Sequence, residues 1–317
     1  MESDLPNLVI SLSIIEVLMR VAAIDLGSNS LRLLIGETDG EKIDVLQEFV
    51  RSPQAGTGVW ETKQINAVAM IRIIELLRRC RGFWKELEVE KVAGVATAFS
   101  REAKNWPYLA QSIMREVGIE FHSIDEKEEA ELAFLGATSD LKDPSKVLLI
   151  DMGGGSTEFI YRKNELQVTS TPIGALTLKE QFLKSDPPAP KEIAALRKSA
   201  EEKLSNITLS ASFSQVVAVG GTFTTLACLI QGIQFYDVEK VDNFHLKRPD
   251  LQAQIKTFSK ERKSDLANRI PWDRLRAEIL PAGAILCDQI MAHLKQKEII
   301  VRHRGLVHGL ALKAASA

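Results

Sequence analysis

The sequence has little that would hold a metal through sulfur or imidazole. Only three cysteines occur, Cys80, Cys228 and Cys287, set apart in apolar stretches with no CxxC pair. That excludes a disulfide framework or a thiolate zinc site and suits the cytoplasm. The five histidines include no HExxH or other zinc spacing; His303 and His308 are the only close pair, and they are not expected to hold an ion. Charge of one sign is also missing. The net charge is −2, so no global field draws nucleic acid, and any positive potential for an anionic ligand must be local. Long hydrophobic runs are absent as well. The apolar stretch over residues 5–19 is broken by Glu16 and preceded by no basic residue. It is too short for a membrane span and is a poor signal peptide. Residues 1–18 are expected to be an upstream extension without catalytic consequence, since Met19-Arg20 stands directly before the first strand pattern. The remaining composition is ordinary for a globular chain, and 317 residues suffice for two domains with separate cores.

What is present is one local pattern used twice. Val21-Ala22-Ala23-Ile24-Asp25 runs into Leu26-Gly27-Ser28-Asn29-Ser30. Val147-Leu148-Leu149-Ile150-Asp151 runs into Met152-Gly153-Gly154-Gly155-Ser156-Thr157, with the second aspartate 126 positions after the first. Each copy is an apolar strand ending in aspartate, then a loop of Gly, Ser, Thr or Asn, then a second strand. Glycine lets backbone N–H groups converge on one point, a nest that binds anions. Ser, Thr and Asn add neutral donors, and an aspartate at the strand end can hold a cation or its waters. Two such loops facing each other would clamp a phosphate chain with a metal between them.

The patterns around the loops predict two similar halves. Strands are expected at 21–25, 31–37 and 43–50, with Asp39-Gly40 as a hairpin turn. A helix follows at about 62–84, a buried strand at 92–96, a helix at about 105–117 and a strand at 121–124. Asp125 then caps a helix reaching about 138, with Glu128 at the capping-box spacing. In the second half, strands are expected at 147–151, 157–161 and 166–173. The Pro-rich stretch 186–190 separates two helices, and a strand at 215–219 leads into Gly220-Gly221-Thr222 and a helix. The remainder to 294 reads as mainly helical, with a strand at 298–301 and a last helix at 306–315. The fold class is therefore α/β, each half a mixed sheet with helices on its faces. Both loops should border one cleft beyond the strand ends.

These residues resemble the exopolyphosphatase/guanosine pentaphosphate phosphohydrolase (Ppx/GppA) family in its short, two-domain form. The resemblance runs from about residue 20 onward. It rests on the stretch from Ala23 to Ser30 with Arg32, on Ala96-Thr97 with residues 101–105, and on Glu128-Glu129-Ala130. Residues 151–158, Pro172-Ile173-Gly174-Ala175 and Val219-Gly220-Gly221-Thr222 complete the set. It implies two duplicated ribonuclease H-like domains of the actin and sugar-kinase type flanking a cleft: domain I at 19–139 with helix 305–317 packing back on it, and domain II at 140–304. It further implies that Glu129 is the general base. Asp151 and Glu158 would surround a divalent cation, Mg²⁺ or Mn²⁺, with Asp25 on the opposite strand end. Ser28, Asn29, Ser30, Gly153, Gly154, Gly155, Ser156 and Thr157 would contact phosphate, and Arg101 would stand in the cleft. The chain departs from the family where Val-Ser-Asp-x-Gly-Leu-Arg-Glu-Gly is usual; here residues 301–309 read Val-Arg-His-Arg-Gly-Leu-Val-His-Gly. It also departs at Val241-Asp242-Asn243 and at 51–56, changes that bear on the far end of the substrate.

Each site residue also has a plainer reading. Asp151 and Glu158, seven positions apart across a loop, can share one mouth or be a turn aspartate and a solvated glutamate. Glu126, Glu128, Glu129 and Glu131 form an acidic first turn that the helix dipole alone would favour; only the resemblance singles out Glu129. Thr97 and Arg101 fall in the expected strand-end loop, where Arg101 could equally be a surface arginine. Arg32 can meet phosphate or pair with an acid, and Gly220, Gly221 and Thr222 can cradle phosphate or simply pack a helix. The expected activity is Mg²⁺-dependent release of terminal orthophosphate from inorganic polyphosphate or guanosine pentaphosphate in the cytoplasm. No nucleic-acid or membrane partner is expected, and a homodimer is left open. The rival readings are an ATP-dependent kinase of the same superfamily and a non-catalytic polyphosphate or alarmone sensor.

Overall fold

The computed structural model describes residues 18–316. The expected extension, but for its last residue, lies outside them. Apolar residues on both faces of the first strand make it a central one: β1 (Met19–Leu26) pairs antiparallel with β2 (Leu31–Thr38), which pairs with β3 (Ile43–Arg51). Asp39 Oδ1 accepts the Glu41 and Lys42 N–H groups and shapes the turn between β2 and β3. Then come α1 (Val59–Thr62), α2 (Ala67–Glu86), β4 (Lys91–Ala96), α3 (Ala98–Glu102), α4 (Trp106–Val117), β5 (Phe121–Ser123) and α5 (Glu126–Thr138). β4 runs parallel to both β1 and β5, and the sheet order is β3-β2-β1-β4-β5.

The second half repeats the plan with β6 (Val147–Met152), β7 (Thr157–Arg162), β8 (Leu166–Thr171), α6 (Ala175–Phe182), α7 (Pro190–Leu204) and β9 (Gln215–Val219). After it come α8 (Gly221–Ile230), α9 (Val238–Val241), β10 (Phe244–Lys247), α10 (Arg248–Phe258), α11 (Lys263–Arg269), α12 (Leu280–His293), β11 (Glu298–Val301) and α13 (Leu306–Ser316). Its order is β10-β11-β9-β6-β7-β8. The class is α/β with two mixed sheets, as expected.

Three local expectations needed correction. The helix placed at 62–84 is two helices, because the chain breaks at residues 63–66 and Asn66 caps a fresh start by accepting the Ala69 N–H at 2.9 Å. Arg101 is not in a loop but on α3, whose N-cap position is Thr97. The stretch read as mainly helical also contains β10, a four-residue edge strand held by antiparallel pairing with β11.

The core has three main parts. One lies between the outer face of the first sheet and α2 and α4 (Ile24, Leu33, Ile73, Leu109). A second lies between the outer face of the second sheet and α7, α8, α10 and α12 (Ile150, Leu196, Phe223, Ile290). The third joins the inner faces of both sheets, since Val21 and Ala23 from one and Leu149 and Val217 from the other bury against α5 and α13. These two helices cross backbone to backbone. A Cβ on Gly136 would fall on Gly305 O, and one on Gly309 would fall on Leu132 O. No described helix is long and apolar enough to cross a membrane.

Candidate active site

Both hairpins end in the same turn. Gly27 N–H donates to Ser30 O at 2.8 Å, and Gly153 N–H donates to Ser156 O at 3.0 Å. The loops meet face to face: a Cβ on Gly154 would lie 3.0 Å from Ser28 Cβ, and Gly155 lies so close to the Trp60 ring that a Cβ has no room. A third loop follows β9, where Gly220 takes φ +114°, a backbone state that side chains oppose. Together they enclose a cavity of about 110 Å³. Ser28, Asn29 and Ser30 line it from the first loop, with Asp25, Arg32 and Thr97 beside them. Gly153, Gly154, Gly155 and Ser156 line it from the second loop with Asp151, and Gly220, Gly221 and Thr222 from the third. Glu129 reaches it from the first turn of α5.

Three of the expected residues stand behind the wall. Thr157 is fully buried and donates its hydroxyl to Ile173 O at 2.7 Å, so it braces β7. Glu158 is buried opposite Asp151 in the β6–β7 register and accepts from Ser170 Oγ at 2.9 Å. Arg101 donates to Glu129 Oε2 and to Ile124 O, each at 2.8 Å. Its role is to aim a carboxylate rather than to line the cavity.

The site gathers more negative charge than its surroundings balance. Burial pushes Asp25 up to about 7; Arg32 pulls it down, and Asp151 adds to the rise. Asp151 rises to about 6 through burial, again opposed by Arg32. Glu129 rises to about 7 through burial, held down by Arg101 and pushed up by Asp151 and Asp25. Glu158 is raised well above the usual range by burial and by the neighbouring Glu129 and Asp151. Asp25 Oδ1 and Asn29 Oδ1 are buried without a hydrogen-bond partner. Hard oxygen atoms, unsatisfied and in acidic company, fit Mg²⁺ or Mn²⁺, which take a few carboxylates and keep several waters. Asp25 and Asp151 would hold such an ion, with Glu158 behind them.

The comparisons with known proteins agree with this geometry. The model of the Ppx/GppA phosphatase family matches residues 24–316. The chain belongs to that family. Exopolyphosphatase 2 of Mycobacterium tuberculosis is 29% identical across 94% of this chain and 99% of its own length. A crystal structure of the Aquifex aeolicus Ppx/GppA family member is 31% identical, with a TM-score of 0.77 over 94% of this chain and 97% of that one. A guanosine-5'-triphosphate,3'-diphosphate pyrophosphatase of Vibrio vulnificus is 25% identical over 93% of this chain, which spans 59% of that longer protein.

One cavity residue of this Ppx/GppA member carried no sequence signal. Arg276, in the 3₁₀ turn before α12, is buried and lines the cavity. Its Nη2 donates to Ser30 Oγ at 2.8 Å and its Nε to Asp273 Oδ2 at 3.0 Å. Ser52 Oγ donates to the same Asp273 oxygen at 2.7 Å, and Asn29 Nδ2 donates to Ser52 Oγ at 3.1 Å. The network ties the first phosphate loop to the second half. Its only sequence hint is an arginine three positions after an aspartate, a spacing common on any exposed turn.

Proposed function

We propose that this Ppx/GppA phosphatase is a Mg²⁺-dependent hydrolase that releases terminal orthophosphate from inorganic polyphosphate. The observation that carries the reading is the pairing of two matched phosphate-type loops with three part-buried carboxylates, Asp25, Glu129 and Asp151, that line one small cavity, and a buried fourth, Glu158, behind its wall. A cavity of about 110 Å³ has room for a small polar group together with water. That volume suits the reacting end of a chain. The full-length match to an exopolyphosphatase supports the same substrate.

In the proposed reaction, backbone N–H groups and hydroxyls of the two loops, with Arg32 and Arg276, hold the terminal phosphoryl oxygens. Glu129 takes a proton from a water whose oxygen attacks the terminal phosphorus. The phosphoanhydride P–O bond breaks, its electrons pass to the bridging oxygen, and the chain leaves one unit shorter. A pKa near 7 suits a base at neutral pH, and Arg101 fixes its orientation. When bound, a divalent cation supplies charge neutralisation at the phosphates. The same chemistry removes the 5′-terminal phosphate of guanosine pentaphosphate, and the Vibrio relative favours that as the second substrate. A cytoplasmic setting is supported by three buried, unpaired cysteines.

Phosphate release from both substrates, with Mg²⁺ and with excess chelator, tests the proposal. Metal-dependent release from polyphosphate is expected. Binding without release would make the protein a sensor, and ADP formation from ATP with an acceptor would make it a kinase.

A further inference from the structure

Outside the cavity, the segment that departs from the family pattern builds a second cluster. His303 lies in the loop between β11 and α13, and His308 in the first turn of α13; both are buried. Glu48 reaches them from β3, across 255 positions of sequence. Its Oε2 is 2.5 Å from His303 Nε2, and its Oε1 is 3.6 Å from His308 Nε2. The two rings stand edge to face at 86°, their centroids 5.5 Å apart. Glu48, His303 and His308 each offer one ligand atom, and these atoms all lie within 4.8 Å of one another. We propose that Glu48, His303 and His308 form a binding site for a zinc-like transition-metal ion, separate from the catalytic Mg²⁺ site.

The distances discriminate between a plain hydrogen-bond chain and a metal site. A structural carboxylate–imidazole pair needs Glu48 and His303 alone. His308 Nε2 is too far from the carboxylate for a hydrogen bond. Its 3.6 Å is to the other carboxylate oxygen, Oε1, and the three ligand atoms lie within 4.8 Å of one another, a gap that an ion with bonds of about 2.1 Å closes by drawing them together. The outer partner of one ligand is already in place, because Tyr236 Oη sits 2.8 Å from His303 Nδ1. Without an ion the Glu48 carboxylate keeps the ring proton on Nε2, and Nδ1 accepts from the Tyr236 hydroxyl; when Nε2 ligates, that proton leaves and Nδ1–H can donate to the Tyr236 oxygen, the usual outer partner of a metal-bound histidine. His308 gives up only a long 3.4 Å contact from Gly305 N–H to its Nδ1 when its Nε2 takes the ion.

The neighbouring charges bear on affinity. Burial first, then His303, Arg32, Arg304 and Arg302, hold His308 far below its ordinary pKa, in the neutral form that ligates. The same arginines oppose a cation, but Arg302 is matched by Asp140 and Asp242, and Arg32 faces Asp25 and Asp151. Two imidazoles and one carboxylate select Zn²⁺, Co²⁺ or a similar ion over Mg²⁺. Glu48 belongs to the first half and Tyr236 to the second, so an ion held here would staple the halves beside the cleft.

The test uses the full chain, free of any affinity tag and stripped with chelator. Zn²⁺ at a hundredfold over its dissociation constant should raise Tm by about 5 °C. One equivalent of Co²⁺ should show the visible absorption of a nitrogen-ligated ion. Both signals should persist in Asp151→Asn, disappear in His308→Ala, and weaken at least tenfold in affinity in Glu48→Gln. Glu48→Gln keeps the side chain's size, so it decides the matter should His308→Ala fail to fold. The proposal is overturned if the wild-type chain shows neither signal, or if Glu48→Gln binds as tightly as wild type. Loss of the signals in Asp151→Asn would overturn it too, since the ion would then lie in the catalytic cleft. No readout depends on phosphate release, so a wrong substrate assignment leaves this test intact.

Discussion

The two halves place opposite charges at equivalent positions. In the first hairpin Asp25 faces Arg32 across the strands; in the second Asp151 faces Glu158 in the same register. The turns between them are matched, down to the glycine N–H that closes each. Duplication therefore supplied two similar cradles, and a single cross-strand position separates their roles. Arg32 lowers the pKa of both aspartates, and in the proposed reaction it makes the first half the side that accepts phosphate charge. Glu158 makes the second half the more acidic side, and burial with Glu129 and Asp151 close by raises its carboxyl well above the usual range.

The heaviest blow to this division of labour should come from the base that both halves surround. Glu129→Gln is expected to lower kcat by about a hundredfold to ten-thousandfold while substrate still binds. Glu128→Gln, whose carboxylate pairs with Lys313 at 2.8 Å on an exposed face, should leave kcat near normal. Near-normal turnover in Glu129→Gln would move the base elsewhere, with Glu158 the next candidate. Removing the asymmetry itself comes second. Arg32→Ala should cut kcat/KM by about a hundredfold, the usual cost of losing one donor that faces developing charge. An unchanged kcat/KM would show that Arg32 serves the aspartates alone.

Arg101 gives a subtler test, because it acts through Glu129. The arginine holds the Glu129 pKa down, so Arg101→Ala should raise it above about 7. A base works deprotonated, so the acidic limb of the kcat/KM profile should move to higher pH, and Arg101→Lys should bring part of it back. A fall in activity with no movement of the limb would make Arg101 merely structural.

The smallest effect is on stability. Asp25 and Glu129 near 7 and Asp151 near 6 in the folded chain lie above ordinary carboxylate values. The folded state thus keeps protons that the unfolded chain releases. Their contribution is fully present below about pH 4 and is lost as pH rises through about 6 to 7. Mg²⁺ should therefore raise Tm little at pH 5 and more at pH 8, as read by thermal melts. An equal rise at both would mean that the ion does not meet these groups.

Much of this was legible in the sequence, and the parts that were not have physical reasons. The strand ends at Asp25 and Asp151 and their glycine loops are local patterns, so they could be read without tertiary contacts. Glu129 was different: helix-dipole preference alone explains an acidic first turn, and only family resemblance picked out one of four glutamates. The short helix under Arg101 and the four-residue β10 are too brief for periodicity to register. Arg276 and the meeting of Glu48 with His303 and His308 depend on long-range packing, which no spacing encodes. The spacing of His303 and His308 matches no zinc motif, and Glu48 reaches them from β3, 255 positions before His303.

The seam of α5 against α13 also bears on the order of events during synthesis. Glu129 sits on a helix whose buried face rests on residues 306–316, and Gly136 and Gly309 leave the two backbones no spacer. On the ribosome, α5 emerges long before its partner does. Until that later segment is out, α5 has only the sheets to rest on and lacks its largest packing partner, so we expect the nascent chain to hold phosphate loops without a firmly positioned Glu129. The proposed chemistry would then become available only after most of the chain has been made.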